Sequence, residues 1–331
     1  MIRHEVVGLV YTRKCPLACR HCITESSPSA KGKMRLEQAK QYLPILARFT
    51  SSISFTGGEP LLYHKEIVQL AEYATQLGLG VRIVTGAGWV RDERTAHRKV
   101  SELAQAGVSG MTISSDGYHE EFSPRERAVL LARLAVAAGL DVRVNVVVPA
   151  DATSDDACRS DFAGLPVKGQ PVQLMRLGMA RTLPLEQFHW TDGPPKGPCG
   201  AVLKAEIDYD GTVYACCGPS TYSAKTSPLV LGNAEAEPLE DILERAIQDP
   251  ILEVISLIGP YGLYHLLQGY PAGRAVFHER AKYFGICDLC LDITNSPALI
   301  AAIRERLHDF DARALVAAAR MWHVHGKPAV A

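Results

Sequence analysis

The chain has 331 residues, with 35 Lys and Arg against 36 Asp and Glu and a formal charge of −1. That length can bury one large core or a barrel with a small extension, and the dispersed, balanced charge excludes the clustered basic footprint of a nucleic-acid binder. No apolar run reaches the length of a membrane span and Met1-Ile2-Arg3-His4 carries no signal-peptide pattern, so no membrane partner and a cytoplasmic location are expected.

Val6 to Tyr11 reads as a buried strand, and Cys15-Pro16-Leu17-Ala18-Cys19-Arg20-His21-Cys22 follows it as a loop with C-x3-C-x2-C spacing. Three thiolates on so short a loop hold three irons of a [4Fe–4S] cube and leave the fourth without a protein ligand, which suits a cluster that binds a small molecule. The spacing is not that of a zinc knuckle, and nothing nearby supplies a fourth ligand. On these residues the loop resembles the signature of the radical SAM enzymes, with His21 as the ring before the third cysteine. The resemblance implies that Cys15, Cys19 and Cys22 hold the cube and that its open iron chelates S-adenosylmethionine (SAM). It further implies that an electron from a flavodoxin- or ferredoxin-type donor cleaves SAM to a 5′-deoxyadenosyl radical, which abstracts a substrate hydrogen atom.

Ser26-Ser27-Pro28-Ser29 reads as a turn-rich link, and Arg35 to Phe49 as a helix with a kink at Pro44. Ile53 to Thr56 reads as a strand, Gly57-Gly58-Glu59-Pro60 as the turn at its carboxyl end, and Lys65 to Leu77 as a helix. This Gly-Gly-Glu-Pro turn, 35 residues after Cys22, resembles the family's second signature, which binds the SAM amino group. The expectation is that Gly57 and Gly58 let the backbone approach the cofactor and that Glu59 joins them.

Strands Gly80–Thr85, Gly110–Ser115, Val142–Val148 and Val172–Leu177 then alternate with helices Arg91–Ala106 and Pro124–Ala138. The alternation predicts an α/β parallel sheet, and six such units resemble the family's partial (β/α)6 barrel. Ligands of parallel barrels sit at the carboxyl ends of the strands, which singles out Thr85, Ser114, Ser115, Asp116, Asn145 and Arg176. Each has an alternative use in satisfying local backbone or capping the next helix. Ser114-Ser115-Asp116-Gly117 resembles the family's fourth-strand motif, so Ser114 and Asp116 rank first. Asn145 sits where the family often places a polar SAM contact, and Tyr118-His119-Glu120-Glu121 projects from the same edge, read first as a solvated loop and second as a substrate contact.

Past residue 180 the composition changes, with Pro184 to Pro198 loop-like and ending on Cys199. Ala205 to Ala215 alternates around Asp210-Gly211, a hairpin signal, and delivers Cys216 and Cys217; Cys287-Asp288-Leu289-Cys290 follows much later. Nine cysteines clustered this way indicate metal binding in a reducing compartment rather than a disulfide scaffold. Cys199, Cys216, Cys287 and Cys290 supply four thiolates, enough to close a second [4Fe–4S] cluster; four cysteines also make a closed zinc site. The arrangement is similar to the twitch extension, a shortened relative of the SPASM domain, and lacks the cysteine string of a second auxiliary cluster. The expected division is residues 1–182 as barrel, 183–295 as auxiliary-cluster region and 296–331 as C-terminal helix and tail, with Ile251 to Leu267 as an apolar cover for the active site.

Cys158 and Cys217 are left over, Cys158 in a polar helical segment and read as inert. Adjacent Cys216-Cys217 with the second thiol free resembles the radical SAM peptide epimerases, in which such a cysteine returns a hydrogen atom to a Cα radical. Cys217 is therefore the candidate hydrogen donor, with either of the pair able to be the iron ligand. The competing reaction is dehydrogenation or peptide crosslinking with the auxiliary cluster as electron acceptor. The substrate is expected to be a ribosomal peptide or a small molecule; the barrel begins close to residue 1, so a peptide would bind the barrel itself or be presented by another protein.

Overall fold

The computed structural model describes residues 4–150, 161–268, 271, 277, 280–309, 313–314 and 316–320. Cys158 lies outside the described residues. Six strands run parallel and in sequential order: β1 (Val7–Thr12), β2 (Ser52–Gly57), β3 (Gly80–Thr85), β4 (Val108–Ser114), β5 (Asp141–Val148) and β6 (Lys168–Gln173). Between them stand the helices α1 (Leu36–Phe49), α2 (His64–Gln76), α3 (Glu93–Gln105), a single turn α4 (Gly117–Glu120), and α5 (Arg125–Ala137). β6 lies at one end of the sheet order and does not pair with β1, so the barrel is partial. β1 is buried along its whole length, as a mostly apolar strand with neighbours on both sides and helices on its face must be.

The second neighbour of β1 comes from the far half of the chain. Glu206–Ile207 pairs parallel to β1, Thr212–Tyr214 returns antiparallel to it, and Val230–Asn233 adds a third strand, making nine in one sheet. The expected hairpin forms around a three-residue loop: Asp208 N–H donates to Thr212 O at 2.8 Å, and Gly211 closes it in the left-handed region at φ +84°. Helix Leu239–Gln248 follows and buries Leu239, Ile242 and Leu243 in the same core as the barrel.

Two expectations from the sequence shift. The sixth strand was expected at Val172–Leu177 and is found at Lys168–Gln173, with Pro171 inside it. An edge strand tolerates a proline because its outward N–H has no ladder partner to lose. The apolar stretch Ile251 to Leu267 forms two helices, Pro250–Leu257 and Pro260–Leu266, and does not cover the barrel cavity. It builds a second core with Tyr283, Leu289 and Cys290, and Ile255 O accepts from Cys199 N–H at 3.1 Å. α1 runs as one helix through Pro44. Among the described residues no single helix is long and apolar enough to cross a membrane, although Ile286–Thr294 and Pro297–Arg306 together have the composition and bend by 92°.

A Cβ on Gly211 would lie 2.8 Å from the Glu235 side chain, in a backbone region that L-residues avoid. Gly211→Ala is expected to cost at least about 1 kcal/mol. Thermal melts of the two proteins check this, and an unchanged midpoint would contradict it.

Candidate functional site

Beyond β1 the chain crosses the carboxyl ends of the strands, where Cys15, Cys19 and Cys22 line one cavity of about 260 Å³. Donors already face the sulfurs: Leu17 N–H donates to Cys15 Sγ at 3.4 Å, Ser26 N–H to Cys22 Sγ at 3.4 Å, and Thr24 Oγ1 lies 3.3 Å from Cys22 Sγ. Burial, then the charges of Glu59 and Cys22, pushes Cys15 up to about 12; burial and the charges of Cys22 and Cys15 raise Cys19 as well. Buried thiols that resist ionisation together, yet are met by N–H donors, fit a cationic group that binds them as thiolates.

The Gly57-Gly58-Glu59 edge is pinned to this loop. Gly58 N–H donates to Thr12 O at 2.7 Å and Glu59 N–H to Lys14 O at 2.9 Å. A Cβ on Gly57, at φ +125°, would collide with the Thr12 carbonyl, and one on Gly58 with the Lys14 carbonyl. The close approach that requires glycine is therefore that of the cysteine loop, not of the cofactor alone. Both glycines line the cavity; Glu59 does not. Its side chain is fully buried behind the wall, where it accepts from Thr85 Oγ1 at 2.7 Å, Leu61 N–H at 3.1 Å and Gly86 N–H at 3.3 Å. Burial, against these bonds, raises its carboxyl to about 7. Glu59 thus ties the β2 and β3 loops together, with its side chain turned away from the cavity where contact with SAM is expected.

Ser114, Asp116 and Asn145 also line the cavity. Asp116 is buried and caps α4: Oδ1 accepts from Tyr118 N–H at 3.1 Å, His119 N–H at 3.2 Å and bonds His119 Nδ1 at 2.9 Å, while Oδ2 accepts from Val147 N–H at 3.2 Å. Burial raises its pKa, but the bond and charge of His119 outweigh that and hold it below the usual range. His21 stacks on Tyr118 with ring centres 4.8 Å apart, and burial lowers it to about 4. Asn145 Oδ1 is buried with no hydrogen-bond partner, an acceptor without a donor on a cavity wall. Thr85 reaches the cavity with its hydroxyl already committed to Glu59.

Arg176 is outside this cavity. Because β6 ends at Gln173, Arg176 stands in a smaller pocket beside Cys287, with its guanidinium 5.5 Å from the centre of the Phe284 ring. The structure adds His119, Thr24, Ser26 and Gly86 to the cavity wall. For His119 the wall position favours the second reading of its loop, a substrate contact; Ser26 is not marked by spacing, and Gly86-x-Gly88 after a strand is the available signal for Gly86, since a Cβ on Gly88 would overlap Leu17.

The second thiol set assembles around helix Ile286–Thr294, which carries Cys287 and Cys290 one turn apart. The charges of Cys216, Cys287 and Cys199 all act on Cys290. Cys216 is buried, whereas Cys217 reaches the surface; burial nevertheless pushes Cys217 up to about 11, the charges of Glu206 and Cys199 act on it as well, and Cys217 in turn acts on Cys287. Gly218, the next residue, packs on Ile23, which lines the first cavity. A tetrahedral zinc site brings its sulfurs within about 3.8 Å of one another. Among the described residues, the one set of three or more ligand atoms within 4.8 Å is Cys19, His21 and His119. Cys199, Cys216, Cys287 and Cys290 do not form such a set.

The profile of the radical SAM superfamily matches residues 9–149, and that of the SPASM iron–sulfur cluster-binding domain matches residues 199–252. The chain carries a radical SAM domain followed by a SPASM domain. SAM, its [4Fe–4S] cluster and an auxiliary cluster are therefore its cofactors. YydG of Bacillus subtilis, named for peptide biosynthesis, is 21% identical over 88% of this chain and 93% of its own. A PqqA peptide cyclase of Bradyrhizobium diazoefficiens is 33% identical over 36% of this chain and 30% of its own. The crystal structure of Streptococcus suis SuiB bound to S-adenosylmethionine has the same fold, with a TM-score of 0.51 at 16% identity over 77% of this chain and 68% of that one.

Two outcomes test the radical SAM site. Replacing Cys15, Cys19 and Cys22 together with Ala should leave about four of about eight irons per reconstituted chain; loss of all iron would contradict two independent sites. Gly58→Ala, because it drives the Lys14 carbonyl away, should lower first-site iron content rather than SAM affinity alone, as an iron assay and a SAM titration together would reveal.

Proposed function

We propose that this radical SAM enzyme modifies a ribosomally made peptide by inverting a Cα centre, with Cys217 as hydrogen donor. The reading takes residues 1–182, 183–295 and 296–331 as its working domains and a reducing cytoplasm as its compartment. Cys15, Cys19 and Cys22 would hold the SAM-binding cluster, and Cys199, Cys216, Cys287 and Cys290 the auxiliary one. With the Gly58 and Glu59 N–H groups donated to the cysteine loop, this edge offers carbonyl oxygens, which accept from an ammonium group such as that of SAM. Asn145 Oδ1 is a further acceptor, and Ser114 and His21 complete the wall around it. When bound, SAM and its reduced cluster supply a radical that abstracts hydrogen.

The observation that supports the inversion reading is the difference in burial within the cysteine pair, Cys216 being buried and Cys217 exposed. A carbon-centred radical takes the hydrogen of the Cys217 S–H, so that a C–H bond forms and the S–H bond breaks. The thiyl left behind returns to thiol with one electron from a flavodoxin- or ferredoxin-type donor and one proton from water. A peptide substrate is supported by the relatives named for peptide biosynthesis and peptide cyclisation.

Because a thiol exchanges its proton with solvent, turnover in deuterated water should place one deuterium at the inverted carbon. Cys217→Ala should retain about eight irons and still form 5′-deoxyadenosine, with inverted product reduced at least tenfold. Cys216→Ala should lose auxiliary iron. Mass spectrometry decides the matter: a product two mass units lighter than the substrate would replace inversion by oxidation or crosslinking.

A further inference from the structure

Among the links between the two thiol sites is one side chain that the proposed chemistry does not use. Tyr222 ends the short turn Pro219–Tyr222 that follows the Cys216-Cys217 pair, and its hydroxyl donates to Ile23 O, one residue past Cys22. The same short segment is gripped from the other side, where Met179 N–H donates to Cys22 O at 3.0 Å. Gly178 makes room for this: at φ +59°, a Cβ there would lie 2.5 Å from the Cys22 carbonyl and 2.7 Å from the Tyr222 hydroxyl. The guanidinium of Arg181 sits 4.6 Å from the centre of the Tyr222 ring.

Tyr222 is anchored in turn to the auxiliary helix. Asn295, which caps the C-terminus of the helix carrying Cys287 and Cys290, donates from Nδ2 to Tyr222 O at 3.5 Å, and its Oδ1 accepts from Ala224 N–H at 2.8 Å. The segment being braced is under tension, because Glu25 stands at φ +52°, a region that a residue with a side chain seldom adopts. Ile23 and Thr24 are cavity wall. A chain of contacts therefore runs from Cys290 through Asn295 and Tyr222 to the wall of the cavity that the Cys15–Cys22 loop lines.

We propose that Tyr222 is a positioning residue that couples the two sites, so that an assembled auxiliary site holds the Cys22–Glu25 segment in the shape that binds SAM. The coupling is reciprocal: SAM binding then favours the assembled auxiliary site by the same factor. It is independent of what the enzyme does to its substrate, since iron content and SAM affinity are read without substrate.

The test uses the full chain, reconstituted anaerobically. Tyr222→Phe removes only the hydroxyl and should keep about eight irons, while SAM binds about three- to tenfold more weakly, the worth of one hydrogen bond. The change that SAM produces in the electron paramagnetic resonance signal of the reduced first cluster should need correspondingly more SAM. Asn295→Ala should weaken SAM similarly, and the double variant should be no weaker than the poorer single, because both act through one path. Wild-type SAM affinity in Tyr222→Phe, additive losses in the double variant, or loss of half the iron in Tyr222→Phe would each overturn the proposal.

Discussion

Two backbone hydrogen bonds, from Gly58 N–H to Thr12 O and from Glu59 N–H to Lys14 O, join the end of β2 to the loop that carries the first three cysteines. They form only because neither Gly57 nor Gly58 has a Cβ to keep the two chains apart. Glu59 then extends the same clamp to β3, its buried carboxyl tying Thr85 and Gly86 to the turn at Leu61. Loop 86–88 in turn packs under Leu17, at the tip of the cysteine loop. The eight-residue cysteine segment is thus held from two strands by contacts that no side chain on the loop could supply alone.

Charge around the cavity is arranged by the same economy of buried groups. Asp116 gathers three backbone donors and the His119 ring, so a carboxylate is kept ionised inside the wall while His21 nearby is kept neutral by burial. Asn145 Oδ1 and His21 Nδ1 are buried polar atoms of wall residues left without a partner, and a buried acceptor in that state costs on the order of 1–3 kcal/mol until a ligand satisfies it.

The far half of the chain does more than append a second cluster region. Its hairpin pairs with β1 on the side opposite β2, and Asp208 at the hairpin turn forms an ion pair with Arg13, whose guanidinium also donates to Thr24 O at 3.0 Å. The strand that delivers the cysteine loop is therefore buttressed from both flanks, and the geometry of one thiol site is not independent of the other.

Much of this was legible in the residues alone. The C-x3-C-x2-C spacing, the Gly-Gly-Glu-Pro turn and the six β/α alternations specify the family and the parallel sheet, because local periodicity and short-range ligand spacing survive without knowledge of packing. Five of the six barrel strands and the hairpin around Asp210-Gly211 lie where the pattern puts them, within a residue or two. What depends on contacts between distant segments was not legible. Nothing local marks that Gly58 faces a carbonyl, that Glu59 turns away from the cavity, that the end of β6 carries Arg176 beyond it, or that residues 251–267 build a core beneath Cys199. That Cys216 is the buried thiol of the pair and Cys217 the exposed one is of the same kind: the two are chemically identical neighbours, and only their tertiary surroundings tell them apart.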